Sequence, residues 1–97
     1  MEVYNRVQSG ELAGSATAVQ MPDIDCRAVI FCGAKSNDNK VYIGGAGVTV
    51  PDGTTDTTSG LELEAGDMTP PLPVSNLKLF YYICASATDD LLYLALG

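Results

Sequence analysis

Short β-prone runs separated by glycine, proline and aspartate constrain this chain more than any other feature. Residues 41–66 show the pattern best. Two β-prone runs, 41–43 and 48–50, flank a glycine-rich segment, and a Pro51-Asp52-Gly53 turn follows. Residues 61–64 then alternate leucine with glutamate, which predicts a strand with its apolar side inward and its carboxylates outward. Short strands with turn signals between them are typical of a β-sandwich or small barrel.

Length and composition fit one small domain. The chain has 97 residues, 46% of them hydrophobic, which argues against disorder. We expect an all-β fold, a small antiparallel β-sandwich or jelly-roll-like barrel with an extended N-terminal arm. In this interpretation residues 1–97 are a single β-domain. Residues 1–20 are an arm or edge strands, and residues 21–97 are the sandwich core.

The main strands are predicted from apolar runs. Residues 26–32 form a core strand, and the turn cluster after it predicts a hairpin with 41–43. Residues 77–84 form a second, aromatic-rich core strand, and 91–96 pair back onto it as the last strand. A helix over 91–96, capped by Asp89 or Asp90, is the alternative, but the run is short and follows a hairpin turn.

The less regular segments have weaker patterns. Residues 1–8 alternate imperfectly, Ser9-Gly10 predicts a turn, and 11–20 suit a second exposed strand. Residues 48–50 read as a short strand, whereas 69–73 predict a stiff, polyproline-like crossover.

Charge and hydropathy limit the partners. The net charge of −7 opposes binding to nucleic acid or to an anionic membrane surface. No apolar run approaches the roughly 20 residues that cross a bilayer. The N-terminal residues lack the features of a signal peptide, so we expect synthesis in a cytoplasm.

Catalytic and metal chemistry are disfavoured by residue type. The chain has no histidine and three cysteines, Cys26, Cys32 and Cys84, without a C-x-x-C pair. This excludes most transition-metal sites and nearly all nucleophile–base catalysis. We expect no enzymatic activity, cofactor or metal, and free core thiols. A disulfide between Cys84 and one of the other two cysteines across a sheet stays open.

Three motifs imitate functional sites. Residues 52–56 suggest a calcium loop, but they lack the ligand pattern of an EF-hand and are read as a solvated turn, as is 37–39. Glu62 and Glu64 share a strand face and are read as a solubilising pair. The glycines at 44–47 lack the following helix of a phosphate loop, which favours a bulge or bend.

Aromatic and aliphatic residues mark a candidate interface. Phe80, Tyr81 and Tyr82 occupy both parities of one strand, so at least one of them faces away from the core. Tyrosine is enriched at protein interfaces. The candidate interface residues are Val3, Tyr4, Val7, Tyr81, Tyr82 and Tyr93.

The C-terminal half combines several short motifs in a fixed order. They are the Val-Tyr-Ile-Gly-Gly run at 41–45, the Val-Thr strand at 48–50, the Leu-x-Leu-x-Ala-Gly-Asp turn at 61–67, Asn76-Leu77, and the aromatic-to-aliphatic hairpin at 81–96. In this combination the chain resembles small β-rich structural proteins of tailed bacteriophages, of the capsid decoration (cement) or head-fibre type. The resemblance covers roughly residues 40–97.

This resemblance implies a non-enzymatic virion protein on the capsid surface. It implies a homotrimer that binds the major capsid protein and stabilises the shell. We expect the segment 1–20 to pair with a capsid strand or a sister subunit, and deletion of 1–8 to abolish particle binding without unfolding. The alternative function is a receptor- or carbohydrate-binding knob of a fibre or tail, which exposed aromatics and polar loops would serve.

Overall fold

The computed structural model describes residues 3–97 and is built from two antiparallel sheets of four strands each. Sheet 1 has the strand order β1-β8-β3-β6, and sheet 2 has the order β2-β7-β4-β5. The strands are β1 (Val7–Leu12), β2 (Val19–Gln20), β3 (Ala28–Gly33), β4 (Val41–Gly44), β5 (Leu61–Leu63), β6 (Leu72–Pro73), β7 (Tyr81–Cys84) and β8 (Leu91–Leu96). A 3₁₀ turn spans Leu77–Leu79. The all-β expectation is confirmed, and the arrangement is that of a small β-sandwich.

The core lies between the two sheets and is built by strand alternation. In β3, Val29 and Phe31 are fully buried, and Phe31 packs edge-on against Phe80 with ring centroids 5.1 Å apart. Strand β4 faces them with Val41 and Ile43, and the other members of the core cluster are Met21, Cys26, Leu63, Leu77, Tyr82, Cys84, Leu91 and Ala95. Side chains alternate across a strand, so each strand fills the core with every second residue.

The predicted pairing of the main strands is wrong, although the strands themselves are confirmed. Strands β3 and β4 belong to opposite sheets instead of forming a hairpin, and so do β7 and β8. The β3–β4 and β7–β8 connections, which both cross between the sheets, bind each other. The side-chain amide of Asn37 donates to the carbonyl oxygen of Asp90 and its amide oxygen accepts from the Asp90 N–H, both at 2.8 Å. A polar bridge of this kind between crossovers leaves no signal in the local apolar pattern.

Three further segments differ from expectation. The predicted strand over 77–84 begins only at Tyr81, because Asn76 accepts a bond from the Lys78 N–H and caps a 3₁₀ turn. Residues 48–50 form no strand; Thr49 makes one parallel bridge to Ser59. Of the two leucines of β5, Leu63 is buried but Leu61 is 64% exposed, at the edge of sheet 2.

The N-terminal segment is integrated into the sandwich. Of the two interpretations offered for it, an edge strand is confirmed for β1, which pairs with β8 along its whole length. The turn predicted at Ser9-Gly10 is wrong, since Gly10 lies within β1 and its missing side chain makes room for the ring of Tyr93. The crossover predicted at 69–73 contains the short strand β6, which pairs with β3. The prediction for Met1 and Glu2 lies outside the described residues.

Candidate docking surface

The strands of sheet 1 that fill the core carry aliphatic side chains on their other face as well. In β8, Leu91 and Ala95 belong to the core, and Tyr93 packs against it. Alternation therefore directs the side chains between them to the outer face of the sheet. In β3, Val29 and Phe31 belong to the core, so the same alternation directs Ile30 and Cys32 to the outer face. The outward residues are Leu92, Leu94 and Leu96 of β8 and Ile30 and Cys32 of β3.

Strand register brings these side chains into one continuous surface. Leu94 lies between Ile30 of β3 and Ser9 of β1, and Leu92 lies beside Cys32. At the margins, Val7 lies opposite Leu96, and Met68 forms a bridge to Cys32. We call this surface the aliphatic face and define it as Val7, Ile30, Cys32, Met68, Leu92, Leu94 and Leu96.

The aliphatic face is open and almost uncharged. Val7 is 66% and Met68 is 67% exposed, and the other members are half-buried. The charged residue within β1, β3, β6 and β8 is Glu11, at one corner of the face beside Leu92. The neighbouring Asp90 carboxylate accepts a hydrogen bond from the protonated Glu11 side chain, and this bond, together with the negative charge of Asp90, raises the pKa of Glu11 above its usual value. Contiguous exposed apolar surface rimmed by polar residues typically marks an interaction site.

The interface residues predicted from sequence do not form one patch. Val7 lies on the aliphatic face, and Val3 is 64% exposed nearby in sequence, whereas Tyr4 is half-buried. Tyr82 is only 5% exposed, and its hydroxyl group donates to the Ala13 carbonyl oxygen at 2.8 Å. Its side chain is thus part of the interior and is removed from the candidate interface.

Two other tyrosines of the predicted interface lie elsewhere. Tyr81 is half-buried in β7 of sheet 2, on the other side of the molecule from the aliphatic face. Tyr93 points inward from β8 and packs against the core. The sequence analysis did not predict the aliphatic face, although the composition of residues 91–96 indicates it. Their run Leu-Leu-Tyr-Leu-Ala-Leu is apolar at both parities, which is typical of a strand covered on both faces.

The motifs that imitate calcium and carboxylate sites are local structure. Asp52 accepts bonds from the N–H and hydroxyl groups of Thr54, which lower the pKa of Asp52. Asp56 binds Thr58 in the same way, so the turn interpretation of this loop is confirmed. In β5, Glu62 pairs with the Lys40 ammonium group at 2.9 Å, and Glu64 lies 3.8 Å from it.

Groups suited to chemistry are sparse in the part of the chain that the structure describes. Residues 3–97 contain no cluster of three or more histidine, cysteine, aspartate or glutamate side chains placed to hold a metal ion. All three cysteines are free, and burial raises the pKa of the Cys26 and Cys84 thiols. A depression of about 270 Å³ beside the 37–40 loop is lined by Ala65 and otherwise by polar and charged residues. Within residues 3–97, no helix is long and apolar enough to span a membrane.

The aliphatic face therefore offers an apolar binding surface, with the free thiol of Cys32 as its reactive group. An open sheet of leucine, isoleucine and valine gains stability when another apolar surface covers it, because burial removes apolar area from water. No protein-family model, curated protein or solved structure matches this chain.

Proposed function

We propose that this protein is a non-enzymatic structural protein of the bacteriophage virion. In this role it is a capsid decoration (cement) protein that binds the major capsid protein on the outer surface of the head. The observation that carries the proposal is the aliphatic face, an uncovered apolar sheet surface on an otherwise acidic chain. The sequence resemblance supplies the viral context, and the aliphatic face supplies the means of attachment.

The charge distribution supports an orientation for this binding. The chain carries 12 acidic and 5 basic residues. None of them lies in β3 or β8, the two central strands of sheet 1. The Lys40–Glu62 pair and the acidic, threonine-rich loop at 51–60 lie with sheet 2 or beside it. We place sheet 1 against the shell and sheet 2 toward solvent, where its charges stay hydrated.

The knob alternative is supported less well. That function was expected to use exposed aromatic side chains, which stack on sugars or receptors. Within residues 3–97, every aromatic side chain is buried or half-buried. The exposed large hydrophobic residues are aliphatic: Val3, Val7, Leu61, Met68 and Leu79. This distribution favours docking through an aliphatic surface.

Two measurements test the proposal. The first is the copy number of the chain in purified particles of its source, relative to the major shell protein. A number comparable to the shell protein is expected, a handful of copies would favour a fibre or tail knob, and absence from particles would reject both functions.

The second measurement is the binding of the purified chain to shells that lack it. Met68→Glu places a charge on the aliphatic face, and burying that charge without a partner is costly. We expect at least a tenfold loss of affinity. Leu79→Glu is the matched control, because Leu79 is similarly exposed at 57% and lies outside the aliphatic face. Equal binding by both variants would mean that the face does not contact the shell.

A further inference from the structure

Strand β1 is a long edge strand with an unprotected outer side. It pairs with β8 on one side and has no neighbouring strand on the other in the described part of the chain. Its residues Val7, Gln8, Ser9 and Glu11 are exposed. An edge of this kind presents unpaired N–H and C=O groups, which are a template for another strand.

The hydrogen-bonding alternation identifies which residues carry those free groups. Arg6 and Gly97 exchange both backbone bonds, each at 2.8 Å. In an antiparallel ladder such pairs alternate, so Gln8, Gly10 and Leu12 bond to β8 in the register observed. The N–H and C=O groups of Val7, Ser9 and Glu11 consequently point away from β8, toward the open edge.

The other edges of the sandwich are protected in ways that β1 is not. Strand β6 ends in Pro73, and Pro70 and Pro71 precede it, which removes donors from that edge of sheet 1. The edges of sheet 2, β2 and β5, are 2 and 3 residues long. Short strands and prolines are the usual defences against edge pairing. Strand β1 has 6 residues, no proline and no lysine.

We propose that β1 pairs with β1 of a second copy of this chain, antiparallel and about a two-fold axis at Ser9. In this register Ser9 faces Ser9 of the second copy, and Val7 faces Glu11. Each of these pairs uses the free backbone groups and exchanges both bonds. The sheet then runs continuously from one copy into the other, and the aliphatic face of each copy extends across the axis.

Charge favours this register over the one centred at Glu11. Glu11 is the charged residue of β1, and in the Ser9-centred pairing it packs against Val7. The two copies of Glu11 are four residues apart along the ladder, about 14 Å at the rise of an extended strand. That separation exceeds the screening length of about 8 Å at physiological salt. Centring the axis at Glu11 would instead oppose two carboxylates, which is destabilising.

The inference does not depend on the proposed function, and it differs from the trimer that the sequence resemblance implies. A two-fold axis makes each β1 edge the partner of an identical edge, which closes the assembly at two copies. A trimer cannot be built from isologous antiparallel pairing of one edge.

Oligomeric mass and amide exchange test the inference together. We expect light scattering on the purified chain to give twice the monomer mass of 10.2 kDa. Ser9→Pro removes an N–H that β8 does not use, so the sandwich is retained and the dimer dissociation constant rises at least tenfold. Ser9→Ala keeps that N–H and is expected to dimerise like the parent chain.

Amide hydrogen exchange on the unsubstituted chain decides the case even if Ser9→Pro fails to fold. In a dimer the amides of Val7, Ser9 and Glu11 gain protection as concentration rises, whereas those of Gln8 and Gly10 are protected throughout. A monomeric or trimeric mass would overturn the inference. So would amides of Val7, Ser9 and Glu11 that stay unprotected at high protein concentration.

Discussion

The backbone carbonyl group of Glu64 lies directly against the α-carbon of Gly33, on the side where any other residue carries its β-carbon. Gly33 ends β3 of sheet 1, and Glu64 follows β5 of sheet 2. Two backbone hydrogen bonds reinforce the contact. The Gly66 N–H donates to the Gly33 carbonyl oxygen at 2.8 Å, and the Gly33 N–H donates to the Asp67 carbonyl oxygen at 2.9 Å. The two sheets are thus joined backbone to backbone at this corner.

Gly33→Ala is expected to lower the free energy of unfolding by about 1–3 kcal/mol, the usual cost of forcing extra volume into a packed site. The obstacle is backbone, which cannot rotate away as a side chain does. Urea unfolding of the variant and the parent measures the difference. Gly45→Ala is the control, because a β-carbon at Gly45 meets no atom within 4 Å. Similar losses in both variants would contradict the packing argument.

Asp89 has a buried carboxyl group with one oxygen that lacks a hydrogen-bond partner among the described residues. Its side chain is 1% exposed, and Oδ1 accepts a bond from the Asp38 N–H at 3.0 Å. Its Oδ2 atom is buried and has no hydrogen-bond partner among the described residues. Asp89→Asn keeps an acceptor for the Asp38 N–H, so we expect its free energy of unfolding to stay within about 1 kcal/mol of that of the parent chain.

Asp89→Ala provides the contrast. It leaves the Asp38 N–H without an acceptor and is expected to destabilise the protein by about 1–3 kcal/mol. Chemical denaturation at pH 7 measures both variants. Equal stability of Asp89→Ala and the parent chain would mean that the bond to the Asp38 N–H adds no stability.

Glu11 gives a pH dependence of defined sign. Its pKa is raised above 4.5 by the hydrogen bond with Asp90 and by the charge of that group. The folded state therefore binds the proton more tightly than the unfolded state, and stability falls as pH rises through the raised pKa. Glu11→Gln removes the repulsion, so its melting temperature should exceed that of the parent at pH 7, and the gap should narrow toward pH 4.

Asp52 should respond in the opposite sense. The bonds from Thr54 hold its pKa below 3.8, so its contribution is present above that pH and is lost as pH falls through the lowered pKa. Asp52→Asn should consequently melt below the parent at pH 7. Melting temperatures of Glu11→Gln and Asp52→Asn, measured from pH 3 to pH 8, test both assignments. If both variants melt above the parent at pH 7, or both below it, one of the assignments is wrong.

The cysteines should differ in reactivity. Burial raises the pKa of the Cys26 and Cys84 thiols, which lowers their thiolate content and their access to reagent. Cys32 is half-exposed on the aliphatic face. We expect a maleimide to modify Cys32 at least tenfold faster than either other thiol, as followed by peptide mass spectrometry. Prior binding to shells should slow that reaction if the aliphatic face is the docking surface; earlier modification of Cys84 would contradict the structure.

The deletion of residues 1–8 that the sequence suggested would remove part of β1, so a shorter truncation is needed to test binding separately from stability. Removing residues 1–8 takes away the first two residues of β1 and the Arg6–Gly97 bonds, so it is expected to lower stability as well as binding. Removing residues 1–4 spares this ladder. Thermal unfolding should separate the two truncations by several degrees, and equal melting temperatures would mean that the start of β1 adds no stability.

The amino-acid sequence by itself determined the fold class and most strand positions. The apolar runs that became β3, β4 and β8 and the Asp52 turn are local patterns, since alternation and turn chemistry act over a few residues. Tertiary structure decided the rest. Alternation specifies that a strand has a buried face without specifying its neighbour, so the division of β3 and β4 between two sheets was set by long-range contacts such as Asn37 with Asp90. The aliphatic face likewise exists only because register places Leu94 between Ile30 and Ser9, 64 and 85 residues away in the chain.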